Sequence, residues 1–204
     1  MGKLFCLMGK SSSGKDTIYK RLLNSEDLHL ERIVPYTTRP MRQGEICGVD
    51  YHFVDNTEFQ HLLESGRVIE HRSYNTVNGV WTYFTVVGDN INVAKSNYIY
   101  VCTPDAYHNL KRFFGEDNVV PIMVYVDDGE RLQRALNRER TQSCPQYIEM
   151  CRRFISDEKD FSSSKMYGVS PFINDNLDVC VNEIKDYIKK VLNDGDICNA
   201  VSLA

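Results

Sequence analysis

Apolar positions along the chain change period in a way that predicts strands alternating with helices. Leu4–Met8 is an unbroken apolar run of strand length, the form taken by strands buried on both faces. Residues 17–23 are compatible with a helix, and 24–31 read as a polar connection. Ile33 and Val34 then predict a second short strand. Residues 48–54 alternate like a strand with one exposed face. Asp55 to Glu58 carries a capping pattern ahead of Phe59, Leu62 and Leu63, and Gly66 closes that short helix. Residues 67–74 and 81–87 read as two strands joined near Asn78-Gly79, a dipeptide favoured in tight hairpins.

Further on, 97–102 and 119–126 are apolar and β-prone, as core strands are. Pro104 suits the first turn of a helix. Residues 127–138 and 146–160 read as helices flanking a polar loop. Residues 169–173 predict a last strand broken by Pro171, and Asn174-Asp175-Asn176 a turn. Residues 177–192 predict a terminal helix and 194–204 a flexible tail. The pattern therefore predicts an α/β fold, with strands and helices alternating over 1–35 and 89–193. A small, mostly β insertion covers 36–88, and a lid lies near 138–153.

The first strand-to-helix turn carries the densest chemistry. It reads Gly9-Lys10-Ser11-Ser12-Ser13-Gly14-Lys15-Asp16-Thr17. Strand, glycine-rich turn, helix is the context of a phosphate-binding P-loop. Glycines let several backbone N–H groups converge, and the helix N-terminus adds partial positive charge. Lys15 adds a full charge. The residue after that lysine is usually Ser or Thr, whose hydroxyl ligates magnesium. Here it is Asp16, a hard-ion ligand that can act directly or through water; the alternative is that Thr17 serves instead. The competing reading is a Gly/Ser-rich turn that binds no nucleotide; the flanking strand and helix weigh against it.

Composition narrows the class. The 204 residues are 42% hydrophobic and 25% charged, which suits one compact domain. There is no 18-residue apolar run, so no membrane span is expected, and with a strand read from Leu4 no signal peptide is expected either. A net charge of −4 gives no pull towards nucleic acid. Seven cysteines show no paired metal spacing; Cys6, Cys102 and Cys180 read as small buried hydrophobes in a reducing cytoplasm. The five histidines show no ligand spacing either. Arg39 and Arg42 lie three apart in a loop, either solvated or converging on one anion. Arg131, Arg134, Arg138, Arg140, Arg152 and Arg153 flank the later loop, as a solvated face or an anion-closing lid.

Taken together these segments resemble the guanylate kinase family. The P-loop is followed by Thr37-Thr38-Arg39-Pro40-Met41-Arg42-Gln43-Gly44-Glu45, similar to the family's T-T-R-x-x-R-x-G-E. Then come Gly48-Val49-Asp50-Tyr51-His52-Phe53-Val54 and Val68-Ile69-Glu70, similar to G-x-D-Y-x-F-V and F-[IL]-E. Late in the chain, Ile173-Asn174-Asp175-Asn176-Leu177-Asp178 resembles V-x-N-D-D-L-D. The matches keep the family's order and cover most of residues 4–190.

The resemblance implies a P-loop core with a parallel sheet that binds ATP with Mg2+, a β-rich insertion that binds GMP, and a lid over both. Gly9, Ser11, Ser12, Ser13, Gly14, Lys15, Asp16 and Thr17 would hold the donor phosphates and metal, with Asn174 near the adenine. Arg39, Arg42 and Tyr51 would hold the acceptor phosphate, joined by Tyr83 or, second, Tyr74. Glu70 would accept from guanine N1–H and N2–H₂. Lys15 and lid arginines such as Arg138, Arg140 and Arg152 would stabilise the transferred group. Two departures bear on the base. Pro35-Tyr36 stands where the family has small hydroxyl residues, and Thr103 stands where it has Asp-x-Asp. The implied activity is transfer of the ATP γ-phosphate to GMP. The rivals are a kinase of the same fold with another acceptor, and a binding module that recognises a phosphorylated partner through Arg39, Arg42 and Tyr51. Gly9, Gly14 and Lys15 argue against the module.

Overall fold

A computed structural model of the chain describes residues 2–42, 44–76, 79–88, 91–162 and 168–201, with side chains to position 193, Thr76 excepted. Gln43 of the arginine-bearing motif and Asn78 of the predicted hairpin turn lie outside the described residues. The elements begin with β1 (Leu4–Met8), α1 (Lys15–Leu23), β2 (Leu30–Arg32), β3 (Tyr36–Thr37), β4 (His52–Phe53), α2 (Asn56–Glu64), β5 (Val68–Thr76) and β6 (Gly79–Val86). They continue with β7 (Asn97–Val101), α3 (Pro104–Phe114), β8 (Val119–Tyr125), α4 (Asp128–Arg140), α5 (Tyr147–Asp160), β9 (Pro171–Ile173) and α6 (Leu177–Val201).

Five strands form a parallel sheet in the order β2-β7-β1-β8-β9. β1 is central and wholly buried. Because side chains alternate along a strand, its apolar run must be covered on both faces. Phe5 and Leu7 pack with Ile18 and Leu22 of α1 and with Cys180, Ile184 and Ile188 of α6. Leu4, Cys6 and Met8 pack with Ala106, Tyr107 and Leu110 of α3. The chain leaving β1 therefore emerges between β7 and β8, in the crevice at the carboxyl ends of the strands where open α/β sheets bind ligands.

A second sheet, β4-β3-β6-β5, draws all its strands from residues 36–86. β3 pairs parallel with β4 and antiparallel with β6. Phe59 and Leu62 of α2 pack on Phe84 and Val86 of β6. The cap read at Asp55 forms, with Glu58 N donating to Asp55 Oδ1 at 2.8 Å. The β5–β6 hairpin shifts register between Val68, opposite Val86, and Glu70, opposite Thr85. Ile69 is the additional residue of a β-bulge.

Several boundaries differ from the sequence reading. β2 is Leu30–Arg32, not Ile33-Val34. It is an edge strand, placed by its backbone register on β7, and the apolar Ile33 enters the core just after the strand ends. Only His52 and Phe53 of the alternating 48–54 segment form strand, because Gly48 turns the chain at φ 77° and donates to Tyr51 O at 2.8 Å. Pro171 starts β9 rather than breaking it; the first residue of an edge strand needs no N–H donor. α6 runs on to Val201, past position 193 where a tail was expected, and residues 202–204 lie outside the described residues. Among the described residues no helix is long and apolar enough to cross a membrane.

Candidate active site

The turn after β1 is built by backbone choices that its residues dictate. A Cβ at Gly9 would lie 2.9 Å from Val124 O and 2.7 Å from Ser13 Oγ. Ser12 adopts φ 62° and Gly14 φ 86°, and Gly14 caps α1. Asn174 Nδ2 donates to Ser13 O at 2.8 Å, so the residue after β9 braces the turn from beneath. The Ser12 and Ser13 hydroxyls are buried with no hydrogen-bond partner. Lys15 stands at the head of α1, and Asp16 beside it is exposed, 3.7 Å from the Lys15 ammonium. Substituting Gly14 by alanine places a methyl 2.4 Å from Asn174 Nδ2 at a left-handed φ. The variant will lose roughly 2–4 kcal/mol in urea unfolding, the sum of the strain and the broken Asn174 bond.

A cavity of about 430 Å³ opens above this turn. It brings Gly9, Ser11 and Lys15 together with Arg39, Arg42, Tyr51, Tyr83, Thr103 and Arg152. Arg39 is held in advance. Its two Nη atoms donate to the Glu45 carboxylate at 2.7 and 2.8 Å, and its guanidinium lies 5.2 Å from the Tyr51 ring centre. Bonding to Glu45 raises the Arg39 pKa, and bonding to Arg39 lowers that of Glu45. Arg39 Nε is buried and unpaired. Burial raises the Tyr51 phenol, keeping it a neutral donor. The Tyr83 ring sits 5.8 Å from both Tyr51 and Tyr74.

The arginine-rich region divides into parts with different surroundings. Arg152 and Arg153 line the cavity and share Glu149, which accepts from them at 2.7 to 2.9 Å. Hydrogen bonding from Arg152, with Arg153 adding to it, pulls the Glu149 carboxyl down to about 2. Arg138 lines an adjoining cavity with Arg42 and Arg152, while Arg140 is exposed and lines neither. Arg131 is buried, although its neighbours suggest a solvated face. Its guanidinium donates to Asp128 at 2.6 Å, to Ser11 O at 3.0 Å and to Asp157 at 3.4 Å, and stacks on Phe154 at 4.6 Å. Asp157 in turn accepts from Ser11 N at 2.7 Å. One ion cluster thus ties α4 and α5 to the turn after β1.

The wall below β7 differs from the sequence reading. Glu70 is buried and does not line the cavity. Its Oε1 accepts from the Thr85 hydroxyl at 2.7 Å, and Thr85 lies 3.1 Å from the Tyr100 hydroxyl. Arg72 stands on the wall instead, and its Nη1 donates to Thr103 Oγ1 at 2.5 Å. Thr103 is also the N-cap of α3, so its oxygen is already shared with the Ala106 amide. Asn174, expected beside a nucleotide base, is buried against the turn and is not on the wall. Sequence reasoning passed over Arg72 and Thr85. Their signal was strand parity, Arg72 two places after Glu70 and Thr85 two after Tyr83.

Comparison with known proteins bears on the whole chain. Residues 1–191 match the family model described as Guanylate kinase. The chain belongs to the guanylate kinase family. A guanylate kinase of Wolbachia sp. subsp. Brugia malayi is 30% identical over 190 residues, covering 93% of this chain and 93% of its own. One from Enterococcus faecalis is 28% identical over 187 residues, covering 92% and 88%. The crystal structure of guanylate kinase from Anaplasma phagocytophilum superposes with a TM-score of 0.65 at 21% identity, over 93% of this chain and 85% of that one. The parallel-sheet fold is therefore shared with a guanylate kinase whose sequence is four-fifths different. Membership makes the chain an enzyme of the nucleoside monophosphate kinase class.

Proposed function

We propose that the chain transfers the γ-phosphoryl group of ATP to GMP, giving ADP and GDP. The observation that carries the reading is the single cavity in which Lys15, Gly9 and Ser11 face Arg39, Arg42, Tyr51 and Tyr83. One wall suits a nucleoside triphosphate and the other a monophosphate. The acceptor is already an anion at neutral pH, so no strong general base is needed. Catalysis would rest on alignment and on spreading charge. Lys15 and the amides of the glycine turn would hold the donor phosphates, joined by the unpaired Ser12 and Ser13 hydroxyls. Arg39, Arg42 and the two phenols would hold the acceptor phosphate. Arg152 and Arg153, over the junction, would take up charge on the moving group and help exclude water, with Arg138 closing the adjoining space. Arg140, exposed outside both cavities, would reach the site only by movement of the lid.

Magnesium would travel with the donor. The described residues include no group of three or more His, Cys, Asp or Glu placed to hold a metal ion. One carboxylate suffices when phosphates and water fill the other positions, and Asp16 in the first turn of α1 fits that need, with Thr17 beside it. Held by Asp16, with Thr17 beside it, the ion would supply charge neutralisation to the donor phosphates.

The test is coupled ADP release with ATP, magnesium and a panel of GMP, dGMP, AMP and UMP. The expected result is a GMP-dependent rate well above those with AMP and UMP. Tight GMP binding without turnover of any acceptor would overturn the reading and leave a binding module.

A further inference from the structure

We propose that Arg72 reads the acceptor base, donating to O6 and N7 of guanine, with Glu70 as the positioning residue behind it. The proposal rests on the GMP reading above and says which edge of the base is recognised, and by which side chain. Four observations lead to it. The Arg72 side chain lines the cavity and keeps 24% of its surface exposed, whereas the Glu70 side chain is 1% exposed and lies off the wall. Glu70 Oε1 is taken by Thr85, and Oε2, buried without a hydrogen bond, lies 3.7 Å from Arg72 Nε. Arg72 Nε is likewise buried and unbonded, so the pair is a through-space charge contact that aims the guanidinium. Arg72 Nη1 is fixed from the other side by Thr103, which α3 holds at its N-cap.

A guanidinium carries five N–H donors and no acceptor. With Glu70 behind and Thr103 beside it, the head group offers donors to whatever base enters. Guanine presents O6 and N7 as two adjacent acceptors, the pattern that arginine matches with a bidentate contact. Adenine presents N7 beside the N6 amino group, so one arginine donor would meet another donor. The carboxylate suited to N1–H and N2–H₂ is the one the fold has covered. Discrimination therefore passes from the Watson–Crick edge to the opposite edge of the purine.

The two edges predict opposite orders of acceptor analogues, measured as kcat/KM on the full chain. IMP keeps O6 and N7 but lacks the N2 amine; 7-deaza-GMP keeps the Watson–Crick edge but lacks the N7 acceptor. The expected result is IMP within about tenfold of GMP and 7-deaza-GMP lower by about tenfold or more. Arg72→Met should lower GMP turnover by about 100-fold and abolish the difference between GMP and 7-deaza-GMP. Arg72→Lys keeps the charge without the fork and should abolish the same difference. Glu70→Gln should raise KM for GMP and leave the order of analogues as it is.

The proposal is overturned if IMP falls about 100-fold while 7-deaza-GMP matches GMP, since Glu70 would then be reading the base. It is also overturned if both Arg72 variants slow every acceptor equally, AMP included, which is the mark of a structural role. Failure of the parent chain to turn over GMP at all is a separate result and removes the underlying reading.

Discussion

Lys15→Met will lower turnover by about three orders of magnitude while leaving the melting temperature close to that of the parent. The two halves of that expectation have different sources. Lys15 heads α1 and lines the cavity, and its ammonium lies 3.7 Å from Asp16, an exposed neighbour on the same turn. Exposed pairs of that kind contribute about 0–1 kcal/mol, so the fold does not depend on it. The proposed role is different. Charge on the phosphoryl group in flight must be met by fixed cations in a site from which water is excluded, and methionine matches the length of lysine without its charge. Coupled ADP release checks the rate, and thermal unfolding checks the fold. Full activity in a normally folded variant would remove the phosphate-binding assignment of the glycine turn.

Arg131→Met will cost about 3–5 kcal/mol of stability, the largest loss expected from a single side chain outside the apolar core. Arg131 is 1% exposed and meets five partners at once: two bonds to Asp128, one to the Ser11 carbonyl, one each to Asp157 and Glu158, and a stack on Phe154. Methionine restores much of the packing but leaves Asp157, itself largely buried, without its charge partner. That uncompensated carboxylate is the main penalty. Arg131→Met combined with Asp157→Leu removes both charges, and the double variant should recover part of the loss, because an apolar replacement of a whole buried pair is often close to neutral. Urea unfolding of the three variants measures the coupling. If the single variant were as stable as the parent, the cluster would contribute nothing net. The change should also reach the site, because Arg131 and Asp157 between them hold both the carbonyl and the amide of Ser11.

What could be read from the residues was what local physics settles. The run Leu4–Met8, the glycine turn and α1 follow from strand burial and backbone sterics; the strand stands where the sequence put it, and α1 begins two residues earlier, at Lys15. The Asp55 cap and Pro104 at the start of α3 are local too. Failures came where distant pairing decides. β2 is placed by its register on β7, so its apolar neighbours Ile33 and Val34 misled. Glu70 and Arg72 share one parity on β5 beyond the bulge at Ile69, so no period-two reading could show that Arg72 stands on the cavity wall while Glu70 is bonded to Thr85 behind it. Arg131 looked like one more charge on a solvated helix face. Its burial depends on Asp157, 26 residues later, meeting it beneath the turn. Arg39 and Arg42 were correctly paired as loop neighbours, but their differing states, one buried and clamped and the other exposed, depend on where Glu45 folds back.

In the proposed reading, the arginine that meets the acceptor phosphate is already paired with an anion of its own chain, Glu45. A phosphate bound through the same two Nη atoms would compete with a tethered carboxylate. A carboxylate six residues away along the chain acts at an effective concentration of millimolar or more. Free orthophosphate or chloride, with one point of attachment each, must outbid that local concentration with nothing else in its favour. A nucleotide brings a base and a ribose as well, and can displace the carboxylate with help from contacts elsewhere. Under that reading the loop that returns Glu45 to Arg39 would set a threshold below which simple anions leave the arginine with its built-in partner.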